Sequence, residues 1–539
     1  MKRQEQQLEL IPSPAPPKAS QGSQLDLKQV DDLLILCEEV MRATPEGSRR
    51  FIEPAPGVLS RAKSKQHNII FGRRGSGKSS LLRKTAADLT IDRRPIAFVD
   101  METFKGHTYP DVLISVLIKS LYEFKSWLDS AATTPATKKS FWGKLFGSLP
   151  LRPPFNKSKT AAISESLSVL IRDLEEQLRA PEQASKQITE IHKSENKQNM
   201  GAETEASHLP LKAKASINES NSSEKSTQEQ TTYTSHKIEY LHQNIIRFQN
   251  FFQNLSKLSD GSSFLILDDL YHIRKPDQAK VIDYFHRIAK GNGMWLKVGT
   301  IKHRSQWYEH SDPPIGMKLG DDAKEINLDV SLERFETLRE FLKKVLTGLM
   351  DETKPLSMKD LMNPTAVDRL IIASGGVVRD FIGIFSNAIS QARERGQKNH
   401  RGPKIGAEDV NLATGDYDPI KREEFKLDTA EDREILEAAF QRLVVFCTEK
   451  SKCNVFLVSQ KLAGSTRDSI DQLIDLRLIH PVKSRVTLKK GAAGELYEAY
   501  MLDLSQYTAS RKVHRFQIID LSAADKDESI RKASLIYSG

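Results

Sequence analysis

The plainest chemistry in this chain sits in eight consecutive residues, Gly72-Arg73-Arg74-Gly75-Ser76-Gly77-Lys78-Ser79. They follow the spacing G-x-x-x-x-G-K-[ST], in which glycines let the main chain curl around an anion and backbone N–H groups point at phosphate oxygens. Lys78 would reach the β and γ phosphates, and the Ser79 hydroxyl would ligate Mg²⁺. Gly72, Arg73, Arg74, Gly75, Ser76, Gly77, Lys78, Ser79 and Ser80 are therefore the candidate nucleotide-binding residues, with ATP and Mg²⁺ as the expected cofactors.

A second constellation is Phe264-Leu265-Ile266-Leu267-Asp268-Asp269, an apolar run ending in two carboxylates. Asp268 is expected to hold the hydration shell of the metal ion. Asp269 would take the proton of an attacking water or orient it. Thr300 closes the run Lys297-Val298-Gly299-Thr300, where a hydroxyl could meet the γ-phosphate or the water; an ordinary strand-end threonine is the alternative. Arg304, four residues on, is either a finger reaching a neighbouring subunit's nucleotide or a solvated surface arginine.

These residues work only if a sheet brings them together. Five short segments, 68–71, 95–100, 263–268, 295–300 and 325–329, read as parallel strands separated by helical patterns, which is the α/β doubly wound class. The phosphate loop follows the first strand and opens a helix, so a helix N-terminus faces the anion. More than 150 residues part the second and third strands, far too many for one crossover. Most of the excess, about 181–235, is polar and poor in apolar side chains, and is expected to be a disordered stretch within an insertion spanning 131–235. Helical patterns at about 160–178 and 237–258 flank it, and Phe141-Trp142-Gly143-Lys144-Leu145-Phe146 reads as a docking point or a local core plug. Residues 1–25, with four prolines among Ser and Gln, read as a flexible tail, and 526–539 as a second one.

Composition bounds the remaining options. The chain has 539 residues, 38% of them hydrophobic and 28% charged, and a net charge of +9 from 80 Lys+Arg against 71 Asp+Glu. No apolar run is long enough for a membrane span, and no secretory leader opens the chain. Cys37, Cys447 and Cys453 form no C-x-x-C pair, which argues against a disulfide framework or a zinc set and fits a cytoplasmic protein. A mildly basic balance permits contact with nucleic acid without demanding it.

In motif order the chain resembles the AAA+ and STAND P-loop ATPases, and in particular those of the origin-recognition initiator type. The likeness rests on Gly72 to Ser79, Phe264 to Asp269 and Thr300, and on Ser374-Gly375-Gly376-Val377-Val378-Arg379-Asp380-Phe381 opening a helix in the part after the sheet. It implies a P-loop ATPase core over 26–345, an all-helical lid over 346–425 in which Arg379 senses the γ-phosphate, and a C-terminal winged-helix domain over 426–525. Within that last domain, 454–462 and 466–475 read as two short helices joined at Ala463-Gly464-Ser465, followed by strands at 478–482 and 496–502. The second helix would turn Ile470, Leu473 and Ile474 inward and show Arg467, Asp468, Asp471, Gln472 and Asp475 outward. Three carboxylates there oppose phosphate contact, whereas Lys483, Arg485, Lys489 and Lys490 would make a basic wing.

The resemblance is broken at one point: Asp268-Asp269 stands where most AAA+ members carry Asp-Glu, an ending closer to the STAND signalling ATPases. A slow, nucleotide-gated switch is expected. Two outputs stay open. One is an oligomer that forms on ATP binding and engages double-stranded DNA through the winged helix. The other is a signalling ATPase of a bacterial defence system, whose winged helix contacts an effector protein. A scaffold that binds nucleotide without hydrolysis is a third reading.

Overall fold

The computed structural model describes residues 24–44, 46–133, 155–199, 235–353, 356–397, 402–428, 433–488, 495–533 and 536–539. The tail before residue 24, the segment Phe141 to Phe146, residues 200–234 and the wing lysines Lys489 and Lys490 lie outside them.

Five strands form one parallel sheet: β1 (Asn68–Phe71), β2 (Ile96–Asp100), β3 (Ser263–Asp268), β4 (Met294–Thr300) and β5 (Lys324–Asn327), in the order β2-β3-β4-β1-β5. Every pairing is parallel. β1 and β3 are buried along their whole length, which is why their sequences read as unbroken apolar runs rather than alternations. The expected strands match to within one or two residues. In such a sheet the loops at the carboxyl ends share one edge, where ligands of open α/β sheets bind.

The helix α2 (Lys78–Ile91) follows β1, after an N-terminal helix α1 (Lys28–Glu39). Between β2 and β3 lie α3 (Asp111–Thr133), α4 (Lys157–Asn199) and α5 (Ile245–Ser256). Phe124, Leu167, Leu174 and Phe252 join these helices to the core of the sheet, with the Phe124 and Phe252 rings 5.7 Å apart edge to face. Burying such an aromatic contributes about 2–3 kcal/mol, which makes α3, α5 and the first half of α4 packed parts of the domain. Helix α4 runs on through 181–199, where a disordered stretch was expected.

A second core gathers the helices after the sheet. They are α7 (Phe335–Glu352), α8 (Pro364–Ser374), α9 (Val378–Gln397) and α10 (Ala407–Asp428), with α6 (Lys275–Ala289) remaining on the sheet. Helix α1 packs here too, through Val30, Leu33 and Cys37. So does the C-terminal part: α11 (Arg433–Val445), then β6 (Val455–Ser459), α12 (Ser465–Asp475), β7 (Ile479–Val486) and β8 (Tyr497–Leu502). The three strands form an antiparallel sheet in the order β6-β8-β7.

One expectation fails here. Residues 454–462 are a strand and not a helix, so a single helix, α12, separates β6 from β7. Val455-Phe456-Leu457-Val458 is a short apolar run rich in β-branched and aromatic side chains, fully buried, and periodicity cannot separate helix from strand in such a run. The expected tail 526–539 holds the helix Lys526–Ala533, and Ile530 and Tyr537 are buried in the same core.

Gly375, at the turn between α8 and α9, has φ +55° and faces His480 of β7 so closely that a Cβ would lie 1.9 Å from the imidazole Nδ1. Gly375→Ala is expected to cost about 1–3 kcal/mol, because both the backbone and a buried ring must yield. Urea unfolding followed by circular dichroism would check it; an unchanged midpoint would show that the helical part and β7 are not in tight contact.

Candidate nucleotide site

The loop 72–79 leaves β1 and turns at Gly75 and Gly77, whose φ values of +81° and +97° fall in the left-handed region that side chains avoid. Gly77 is the N-cap of α2, so the free N–H groups of the first turn open toward the loop. Lys78 is buried, and its Nζ donates to the carbonyls of Gly72 at 2.9 Å and Arg73 at 3.3 Å. The ammonium thus sits inside the curl of the loop.

Asp268 ends β3 beside this loop and is 3% exposed. Its carboxylate takes a hydrogen bond from Ser79, and its Oδ1 accepts the Asp269 amide at 3.0 Å. Burial, then the neighbouring Asp269 carboxylate, push the Asp268 carboxyl up to about 7, while the Ser79 hydroxyl and the Lys78 ammonium pull it down. A carboxylate this costly to ionise is one that a divalent cation stabilises. Gly299 on β4 makes the room: a Cβ there would come within 2.7 Å of Asp268 Oδ1. Among the described residues no group of three or more His, Cys, Asp or Glu could hold a metal ion by itself. The hydroxyl and carboxylate oxygens of Ser79 and Asp268 fit Mg²⁺, which characteristically takes one or two protein oxygens and completes its shell with phosphate and water.

The other expected residues separate into two groups. Asp269 stands next to Asp268 in the left-handed region, at φ +54°, and caps the short turn Leu270–His272. Thr300 ends β4 fully buried, with its hydroxyl against that of Ser305. Arg379 lies over the loop, its amide donating to the Gly75 carbonyl at 3.2 Å. Of these three only Arg379 touches the loop; Thr300 pairs in register with Phe71, just before it, and Asp269 follows the Asp268 that Ser79 reaches. Arg73 is spent elsewhere: it is buried, its amide and guanidinium bind Asp329, and its Nη2 donates to the Gly375 carbonyl at 2.9 Å. Arg304 stacks on the Tyr271 ring of its own chain at 5.6 Å.

Sequence reasoning missed two features. Asp100, at the end of β2, pairs in register with Asp268 and adds to the repulsion on its carboxylate. A cavity of about 320 Å³ adjoins Ser76, Gly77 and Ser80, walled by Phe51, Ile52, Phe341 and Ile382. The prolines and apolar residues of 51–58 were the available signal; Glu53 pins that segment by accepting the amides of Gly57 and Leu59.

Helix α12 corrects the expected outward face. Ile470 and Leu473 are buried as anticipated, but Asp475 is buried too and accepts the His303 amide at 3.0 Å. Asp471 lies 3.7 Å from the His303 imidazole, and Arg467 pairs with Asp471 and Glu498. This face is seated on the loop after β4. Of the wing, Lys483 is paired with Asp527, and Ser484 donates to Glu333.

No family model and no curated protein matches the chain. Among solved structures it is similar to the Orc1 protein of Aeropyrum pernix in complex with DNA, at 11% identity over 87% of this chain and 93% of that one, with a TM-score of 0.34. It is also similar to Drosophila ORC bound to DNA, at 10% identity over 97% and 96%, with a TM-score of 0.30. At such scores neither likeness carries weight for function.

Burial, and then the Asp329 carboxylate, push Asp475 up to about 7, against the His303 amide and the Arg73 and Arg304 guanidinium groups. A carboxyl raised in the folded state stabilises it at low pH and loses that contribution as the pH climbs to about 7. Asp475→Asn is therefore expected to raise the melting temperature at pH 8 by at least about 2 °C and to change it little at pH 4. Melting curves across this range would decide; a variant less stable than the parent at pH 8 would mean that the ionised carboxylate is what seats α12.

Proposed function

We propose that the chain binds Mg-ATP and hydrolyses it slowly, as a nucleotide-gated switch. The observation that carries this reading is the convergence of Lys78, Ser79 and Asp268 at the carboxyl edge of the sheet, with an apolar cavity beside the loop for the base. Lys78 and the α2 N-terminus bind the phosphates, while Ser79 and Asp268 hold Mg²⁺, which neutralises phosphate charge when bound. Asp269 orients the attacking water or takes its proton; its side chain makes no capping hydrogen bond to the turn it opens. Arg379, over the loop, senses the terminal phosphate.

For the output we favour protein contact over duplex reading by α12. Two of its carboxylates, Asp471 and Asp475, already engage His303 of the same chain, so the face that would enter a groove is occupied. For Arg304 to serve a neighbouring subunit as a finger, it would have to leave the Tyr271 ring.

Single-turnover phosphate release tests the catalytic reading. Asp269→Asn is expected to slow release about 100-fold or more while ATP still binds, the usual loss on removing a general base. Added duplex DNA should leave the rate unchanged. A variant as fast as wild type would reduce the protein to a nucleotide-binding scaffold, and strong stimulation by DNA would return the duplex reading.

A further inference from the structure

Glu424, on α10, is approached by three arginines from three parts of the molecule. Arg74 of the phosphate loop has its Nε 3.9 Å from Glu424 Oε1, and Arg379 of α9 has its Nη1 4.0 Å from the same atom. Arg477, in the turn between α12 and β7, binds the other oxygen by direct hydrogen bond. Neither of the first two pairs closes to hydrogen-bond distance, so what links Glu424 to Arg74 and Arg379 is charge attraction across about 4 Å.

Behind Glu424 the charges continue inward. Arg477 also binds Asp380, Lys421 lies 3.4 Å from Asp380 and 2.8 Å from Asp503, and Asp503 meets His480 at 2.9 Å. Three carboxylates, Glu424, Asp380 and Asp503, thus face two buried cations, Arg477 and Lys421. Burial lowers the His480 imidazole against the pull of the Asp503 carboxylate beside it. Arg74 and Arg379 approach the outermost carboxylate of this group.

We propose that Glu424 competes with the terminal phosphate of a bound nucleotide for Arg74 and Arg379, and so sets the preference between tri- and diphosphate. This rests on the nucleotide reading of the loop. Glu424 touches no substrate and acts through the two arginines as a positioning residue. The Arg379 backbone is fixed by its amide on Gly75, and a Cβ on Gly75 would meet the Arg379 Cβ at 2.6 Å, so only its guanidinium is free to change partner. Arg477 keeps Glu424 in place meanwhile. A triphosphate draws the arginines off against this carboxylate; a diphosphate, lacking the terminal group, does so much less.

The test is titration calorimetry of Mg-ATP and Mg-ADP on the full chain, in an Asp269→Asn background that keeps the triphosphate intact. Glu424→Gln removes the competing charge and should tighten ATP about five- to tenfold, at the low end of site-to-site couplings, with ADP within about twofold. Glu424→Asp withdraws the carboxylate by one methylene and should shift ATP the same way by about twofold, so the idea stays testable if the Gln variant does not fold. Unchanged ATP affinity, weaker ATP, or equal changes for both nucleotides would overturn the proposal. Failure of the Asp269→Asn parent to bind ATP at all would instead remove the nucleotide reading on which it stands.

Discussion

The arrangement depends on a loop that must stay curled around a buried ammonium. Lys78 sits among the carbonyls of Gly72 and Arg73, and the curl survives because both ends are held: β1 lies between β4 and β5, and α2 begins at Gly77. A third restraint comes from outside the loop. Arg73 ties it to Asp329 beyond β5 and to the Gly375 carbonyl before α9, and the Arg379 amide reaches back to Gly75. The loop 72–79 and the start of α9 are therefore bonded directly to each other.

The helical part is joined in turn to the C-terminal part. It shares an apolar core with β6, β7 and β8, and its buried charges, Asp380 and Lys421, are matched by Arg477 and Asp503 from the C-terminal part. Buried ion pairs contribute little net stability, but breaking one leaves an uncompensated charge at a cost of several kcal/mol. Such a contact favours one seating of the C-terminal part over loosely related ones. Asp471 and Asp475 also hold α12 to the loop after β4.

Much of this was readable from local pattern. The five strands of the sheet, the one ending at Asp268 among them, follow from residue type and spacing over a few positions, and the structure places them within two residues of that reading. What was not readable depends on contacts distant in sequence. Arg73 looks like any loop arginine until Asp329, 256 residues away, is beside it. Asp475 looks like a solvated helix residue until His303 donates to it. Val455–Ser459 becomes a strand because β8 pairs with it, a choice that its own apolar run leaves undecided. Phe51, Ile52 and Pro54, which wall the cavity, carry no catalytic signature, only apolar side chains that acquire meaning beside Ser76 and Gly77.

The central claim is that this loop, with Asp268 and a divalent ion, holds a triphosphate. Calorimetric titration of the intact chain with ATP, with and without Mg²⁺, tests it most directly when run beside Asp268→Asn. The account predicts saturable binding at one site per chain, at least about tenfold tighter with Mg²⁺, and loss of that Mg²⁺ gain in the variant. Folded wild-type protein that gives no saturable heat, or binding indifferent to both Mg²⁺ and Asp268, would contradict it.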